Sequence, residues 1–117
     1  MDMELKRKKP TLRDFKTYKL IYDENGELKT DLELLWTLRE WRLYATKKEH
    51  VPTTYIFYNE TLVAFATYFP QTEEEFLRAF GAGKRKWQKY GATIVRIIKD
   101  HLISMDWSRK LESLGQG

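Results

Sequence analysis

The residues with the clearest chemical pattern lie between positions 84 and 99. Lys84, Arg85, Lys86, Lys89, Arg96 and Lys99 fall there, and no acidic residue does. At 100° per residue, Arg85, Lys89, Arg96 and Lys99 occupy about 80° of a helix circumference, with Lys84 and Lys86 flanking them at the start. Trp87, Gly91, Ile94 and Ile98 fall on the opposite side. Gly81-Ala82-Gly83 immediately precedes this stretch. Open backbone amides of a helix start, glycines that allow close approach, and cations along one face together suit a phosphate backbone. The bland alternative is a solvated outer face of an amphipathic helix, although such faces usually mix the two signs. Trp87 sits on the core side of the wheel. Tyr90 lies at the edge of the apolar arc and is open to either packing or stacking on a base.

Other chemistries find less support. Gly83-Lys84 is followed by Arg85, and Arg78 stands where a nucleotide-hydrolysing phosphate loop, G-x-x-x-x-G-K-[ST], requires its first glycine. His50 and His101 have no partner at metal or triad spacing, and each reads as a solvated or helix-end residue. Glu73, Glu74 and Glu75 are consecutive, so on a helix they diverge, and acids in a first turn suit its dipole. The chain has no cysteine, which removes disulfides, thiolate metal sites and thiol nucleophiles. The sequence therefore predicts no catalytic residue, no metal and no cofactor.

At 117 residues, 42% apolar and 15% aromatic, the chain is one domain with one modest core. No apolar run approaches the roughly 20 residues that cross a bilayer. The net charge of +4 is uneven. Residues 14–83 carry eight basic and twelve acidic groups, against the six unopposed cations at 84–99.

Those cations need elements to hold them. Residues 1–30 read as a basic lead-in followed by a hairpin or linker around Asn25-Gly26. Residues 1–16 are expected to be mobile or the end of a preceding module. From Asp31 the pattern is helical: Thr30 or Asp31 can cap, and Leu32, Leu35, Leu38, Trp41 and Ala45 recur through about Glu49. Arg39 and Arg42 fall inside that apolar arc and read as structural, their stems packed and their heads on carboxylates or carbonyls. Val51-Pro52 ends the helix, and residues 53–58 are expected to form an extended connector. Asn59 is expected to cap a second helix carrying Leu62, Phe65, Ala66 and Phe69. Thr72 and Glu75 form a capping box opening a third helix, which buries Phe76, Leu77 and Phe80. The fourth helix begins after Gly83, and Leu102 to Leu114 suggest a separate, frayed fifth. The predicted fold is an all-α bundle of about five short helices at 31–103, with a tail at 104–117.

In that order the elements resemble the HRDC (helicase and RNase D C-terminal) domain over about 70 residues. Leu38-Arg39-Glu40-Trp41-Arg42 with Ala45 is similar to its first-helix signature, and Val51-Pro52 with Ile56 to its connector. Asn59 with Leu62 matches the next helix, and Phe69-Pro70, Thr72 and Glu75 match the step P-x-T/S-x-x-E. Gly81, Gly83, Lys86, Lys89, Tyr90 and Gly91 match the closing G-x-G-x-x-K-x-x-[KR]-Y-G. The resemblance implies an accessory domain behind the motor of a RecQ-type ATP-dependent DNA helicase, acting in cis in DNA repair or recombination. An RNase D-type exoribonuclease is the other parent it allows. It further implies a cytoplasmic monomer that contacts single-stranded or branched DNA, or RNA, and it transfers a contact role to Lys86, Lys89 and the Gly81/Gly83 loop. A competing reading is a protein-docking module that uses aromatics around Tyr55, Phe57 and Tyr58.

Overall fold

The computed structural model describes residues 9–116. It contains five helices: α1 (Leu32–Glu49), α2 (Thr53–Ile56), α3 (Asn59–Tyr68), α4 (Glu73–Leu77) and α5 (Lys84–Gln116). A 3₁₀ turn, Leu12–Phe15, precedes them. The fold is all-α. Helix α1 is central and packs on α2, α3 and α5, and α4 packs on α5.

Local chemistry sets most of the boundaries. Asp31 caps α1, its carboxylate accepting from the Leu34 amide at 3.0 Å. His50 ends α1 in the left-handed conformation at φ 59°, and Phe69 ends α3 likewise at φ 49°. A proline follows within two residues in each case and forbids continuation. Thr72 accepts from the Glu75 amide at 3.2 Å, while Glu75 reaches back to the amide of Gln71 at 2.8 Å. The hairpin signal at Asn25-Gly26 becomes a tight loop with Gly26 at φ 83° and one antiparallel bridge, Tyr22 to Leu28. Asp23 takes the amides of Asn25 and Glu27, which holds the loop without regular strands.

Four expectations change. Residues 53–56 are a helical turn, because the Phe57 amide closes onto the Thr53 carbonyl at 3.1 Å. Asn59 does not cap α3: Tyr58 occupies that position, and the Asn59 side chain accepts from Arg42 at 2.8 Å. The fourth and fifth helices are one 33-residue helix, α5. No proline interrupts it, and the i,i+4 pairs Arg96–Asp100 (3.6 Å) and Asp106–Lys110 (3.5 Å) favour its continuation. From Asp106 to Gly115 it runs free of the body, every residue exposed. The lead-in is also part of the fold. Phe15 is buried and meets Tyr18 and Trp36 edge-on at 5.2 and 6.3 Å, and Thr30 bonds Thr67 of α3 at 2.8 Å. The first eight residues of the expected basic lead-in lie outside the described residues.

The core is centred on Phe57, at the α2–α3 junction. Its ring lies 5.3 Å from Phe65, 5.7 Å from Tyr90, and 6.1 Å from both Trp41 and Phe76. Its carbonyl accepts from the buried guanidinium of Arg42 at 2.9 Å. The same guanidinium donates to Tyr18 Oη at 3.1 Å and to Asn59. Arg42→Ala is therefore expected to lower stability by about 3 kcal/mol, through buried acceptors left unpaired. Arg42→Lys should recover only part of this, since one ammonium cannot span three acceptors. Urea denaturation of the two variants measures both.

Candidate nucleic-acid interface

Gly81 and α5 place the predicted site residues. Gly81 adopts φ 78°, and a Cβ there would stand 2.7 Å from Thr61 Oγ1 and 3.0 Å from the Tyr58 ring. Glycine is thus required for both conformation and space. Gly83 is different, since a Cβ there would meet nothing within 4 Å. Its carbonyl accepts the first α5 bond, from the Trp87 amide at 2.9 Å. The amides of the first α5 turn consequently have no acceptor within the helix. Gly91 makes room for Trp87, whose indole occupies the position of the absent side chain.

The six cations of α5 divide by environment. Lys84, Arg85 and Lys99 are exposed, and no carboxylate partner is recorded for them among the described residues. Arg96 is exposed and leans on Asp100. Lys89 donates to Glu49 of α1 at 2.8 Å. Lys86 is half-buried: its ammonium donates to the carbonyls of Tyr55 (2.8 Å) and Ile56 (2.6 Å) and lies 5.2 Å over the Phe57 ring. Burial pushes its pKa down. Lys86 thus closes the open carbonyl end of α2. Its wheel position carried this signal, about 100° from Arg85 and 40° from Tyr90 at the apolar edge.

Tyr90 is a core residue. It is 7% exposed, its ring sits edge-on to Trp41 at 5.4 Å, and its hydroxyl donates to both Glu49 oxygens at 2.9 Å. Little of that ring is left open, with Trp41 and Phe57 packed against it and the Lys89 ammonium 5.4 Å over it. Burial, reinforced by the Glu49 carboxylate, raises its pKa. The Glu49 carboxyl is held below its ordinary 4.5, first by the Lys89 hydrogen bond and then by Tyr90. The competing aromatic surface loses its centre as well, because Phe57 is fully buried while Tyr55 and Tyr58 remain exposed.

Three arrangements had weak or no signal in the sequence. Among the described residues Arg42 has no carboxylate partner; its acceptors lie 15 to 24 residues away. His101 pairs with the α1 cap Asp31 at 2.8 Å across 70 residues, so it fastens α5 to the start of α1. Phe80, expected in the core, is 65% exposed beside Tyr58. Among the described residues, no cluster of three potential metal ligands forms, and no helix is long and apolar enough to cross a membrane.

Two outcomes follow from this geometry. Lys86→Met should cost about 1–2 kcal/mol in chemical denaturation, from two carbonyls that lose their donor. Glu49→Gln should melt below the parent chain at pH 7. Because the folded pKa of Glu49 is depressed, its contribution is complete above 4.5 and is lost as pH falls through the lowered value. The gap between the two melting curves should therefore narrow as pH falls below 4.5 and close once pH has passed the lowered value.

Comparison with known proteins agrees with this architecture. The HRDC domain family matches residues 31–98. The ATP-dependent DNA helicase UvrD2 of Mycobacterium tuberculosis is 33% identical over 69 residues, which are 59% of this chain and 10% of that protein. The ATP-dependent DNA helicase RecQ of Pasteurella multocida is 32% identical over 71 residues, 61% of this chain and 11% of that one. Both similarities span about a tenth of the helicase. Among solved structures, HRDC domain 3 of D. radiodurans RecQ superposes with a TM-score of 0.56 at 32% identity, covering 59% of this chain and 91% of that one. The first-helix signature, the glycine turn at Gly81, and the Lys86 and Tyr90 contacts all fall within the matched segment, and the chain belongs to the HRDC domain family.

Proposed function

We propose that this chain is an accessory nucleic-acid-binding domain of an ATP-dependent DNA helicase, and that it tunes recognition of single-stranded or branched DNA in repair or recombination. The observation that carries this reading is the head of α5. There Lys84 and Arg85 stand exposed, with no carboxylate partner among the described residues, beside first-turn amides that have no helical acceptor. Phosphates fit that chemistry, since each neutralised charge releases a condensed counterion. Lys99 and Arg96 extend the cationic face along the helix. Lys86, Lys89 and Tyr90 serve the reading indirectly, by seating α5 on α1 and α2.

Similarity to two kinds of DNA helicase supports a helicase parent over a ribonuclease. The motor that hydrolyses ATP would lie elsewhere in such a parent, so the chain itself acts by binding, as a monomer in the bacterial cytoplasm. Affinity is expected to be modest, independent of sequence and strongly salt-dependent.

Fluorescence anisotropy with a labelled oligo-dT at rising salt provides the test. Lys84→Glu with Arg85→Glu should weaken binding about tenfold at low salt and flatten the slope of log K against log salt by roughly 1.4, two single-strand phosphate contacts. Lys86→Met should alter the melting temperature more than the affinity. Absence of binding at low salt would overturn the reading.

A further inference from the structure

Phe80 and Tyr58 are an exposed aromatic pair in contact with each other. Phe57, Phe65 and Phe76 nearby are fully buried, yet Phe80 is 65% and Tyr58 46% exposed. Their centroids are 5.8 Å apart and their planes only 34° from parallel. Burying two such rings in the core would have been favourable, so their exposure invites a partner.

Both rings sit on backbone that is already fixed. Tyr58 is the N-cap of α3, and its carbonyl accepts from the amides of Thr61 (3.1 Å) and Leu62 (3.2 Å). The Phe80 carbonyl accepts from the hydroxyl of the buried Thr61. Gly81 then turns the chain so closely that a Cβ there would strike the Tyr58 ring. Phe80 is also one wall of an open groove of about 470 Å³ shared with Tyr68, Pro70, Glu75 and Arg78. The ring is therefore accessible from the groove. Little loop ordering would accompany binding.

Which partner suits the pair follows from its surroundings. Lys84 and Arg85 lie four and five residues beyond Phe80, exposed and with no carboxylate partner among the described residues. Neutral rings beside cations complement a polyanion that also carries exposed aromatic faces. A single strand of nucleic acid has both. A duplex offers the phosphates but keeps its bases stacked within itself. We infer that Tyr58 and Phe80 form a base-stacking platform, next to the phosphate contacts of Lys84 and Arg85, that makes the domain prefer single strands. This rests on the nucleic-acid reading above and adds the source of strand selectivity to it. Stacking of this kind tolerates any base, because every base has a π-face.

The experiment compares a labelled oligo-dT and a blunt duplex of equal length on the 117-residue chain and its variants. Tyr58→Ser with Phe80→Ser should weaken oligo-dT binding roughly tenfold or more, leave the salt slope unchanged and leave duplex binding unchanged. Phe80→Trp, which keeps a stacking face, should retain oligo-dT affinity, and circular dichroism melting should show both variants folded. If the serine variant binds oligo-dT as the parent does, while Lys84→Glu with Arg85→Glu loses both ligands, the platform is overturned and the nucleic-acid reading stands. The two rings would then be left to a protein partner. Equal losses for strand and duplex in the serine variant would also overturn it. If the parent chain binds neither ligand at low salt, the underlying reading fails first.

Discussion

The buried guanidinium of Arg42 is the constraint on which the other contacts depend. It projects from the central helix and holds three segments at once: the carbonyl of Phe57, the side chain of Asn59 and the hydroxyl of Tyr18. None of these acceptors is a carboxylate, and burial accordingly lowers its pKa. A lysine-like point charge would be costly in such a place. A guanidinium spreads its charge over five donors and meets neutral acceptors in several directions. By fixing the Phe57 backbone, Arg42 also fixes the Phe57 ring, against which Tyr90 and the Lys86 ammonium of α5 then rest. The position of α5 relative to α1 is thus transmitted through one residue of the α2–α3 junction. Asp31 and His101 tie the same two helices at a second point.

The charge of α5 looks different once these partners are in place. Along the chain, residues 84–99 form a stretch of six unopposed cations. In three dimensions Glu49 of α1 answers Lys89, backbone carbonyls of α2 occupy Lys86, and Asp100, one residue past the stretch, answers Arg96. Exposed ion pairs such as Arg96–Asp100 are weak and screened by salt, so Arg96 remains available to a stronger anion. Lys86 is not available, since moving it would expose the end of α2. The positive field is therefore concentrated on Lys84, Arg85 and Lys99 rather than spread evenly along the helix.

What could be read in advance follows the range of the interaction. Asp31 as a cap, the Thr72 box, the glycine turn before α5 and the apolar face of α1 are local, and each has a local signature in residue type and spacing. The partnership of Glu49 with Lys89 and Tyr90 spans 40 and 41 residues, and that of Asp31 with His101 spans 70. Neither has a periodicity to betray it. Asn59 is instructive because both kinds of signal compete there. Its type suits a cap, but Arg42 uses its side-chain oxygen, and the cap position passes to Tyr58. The continuity of α5 was hidden for another reason. Ile103, Trp107, Leu111 and Leu114 are exposed, so they do not extend the buried face that runs through Ile94 and Ile98, and they read as a separate segment.

The closing motif acquires a physical meaning from these contacts. Gly81 is needed for its left-handed backbone and for clearance from Thr61 and Tyr58. Lys86 closes α2, Lys89 and Tyr90 grip Glu49, and Gly91 admits the Trp87 ring. All five of these motif positions are spent on seating α5, and only Gly83 has open space around it. The residues proposed to meet phosphates, Lys84 and Arg85, occupy the unspecified positions between Gly83 and Lys86. Phe80 lies just before the motif and Tyr58 in a different element altogether. A scaffold defined in this way holds α5 in place while leaving the surface at its head free to vary. Membership of the family therefore establishes how the head of α5 is presented, and the side chains at its open positions decide what it is presented to.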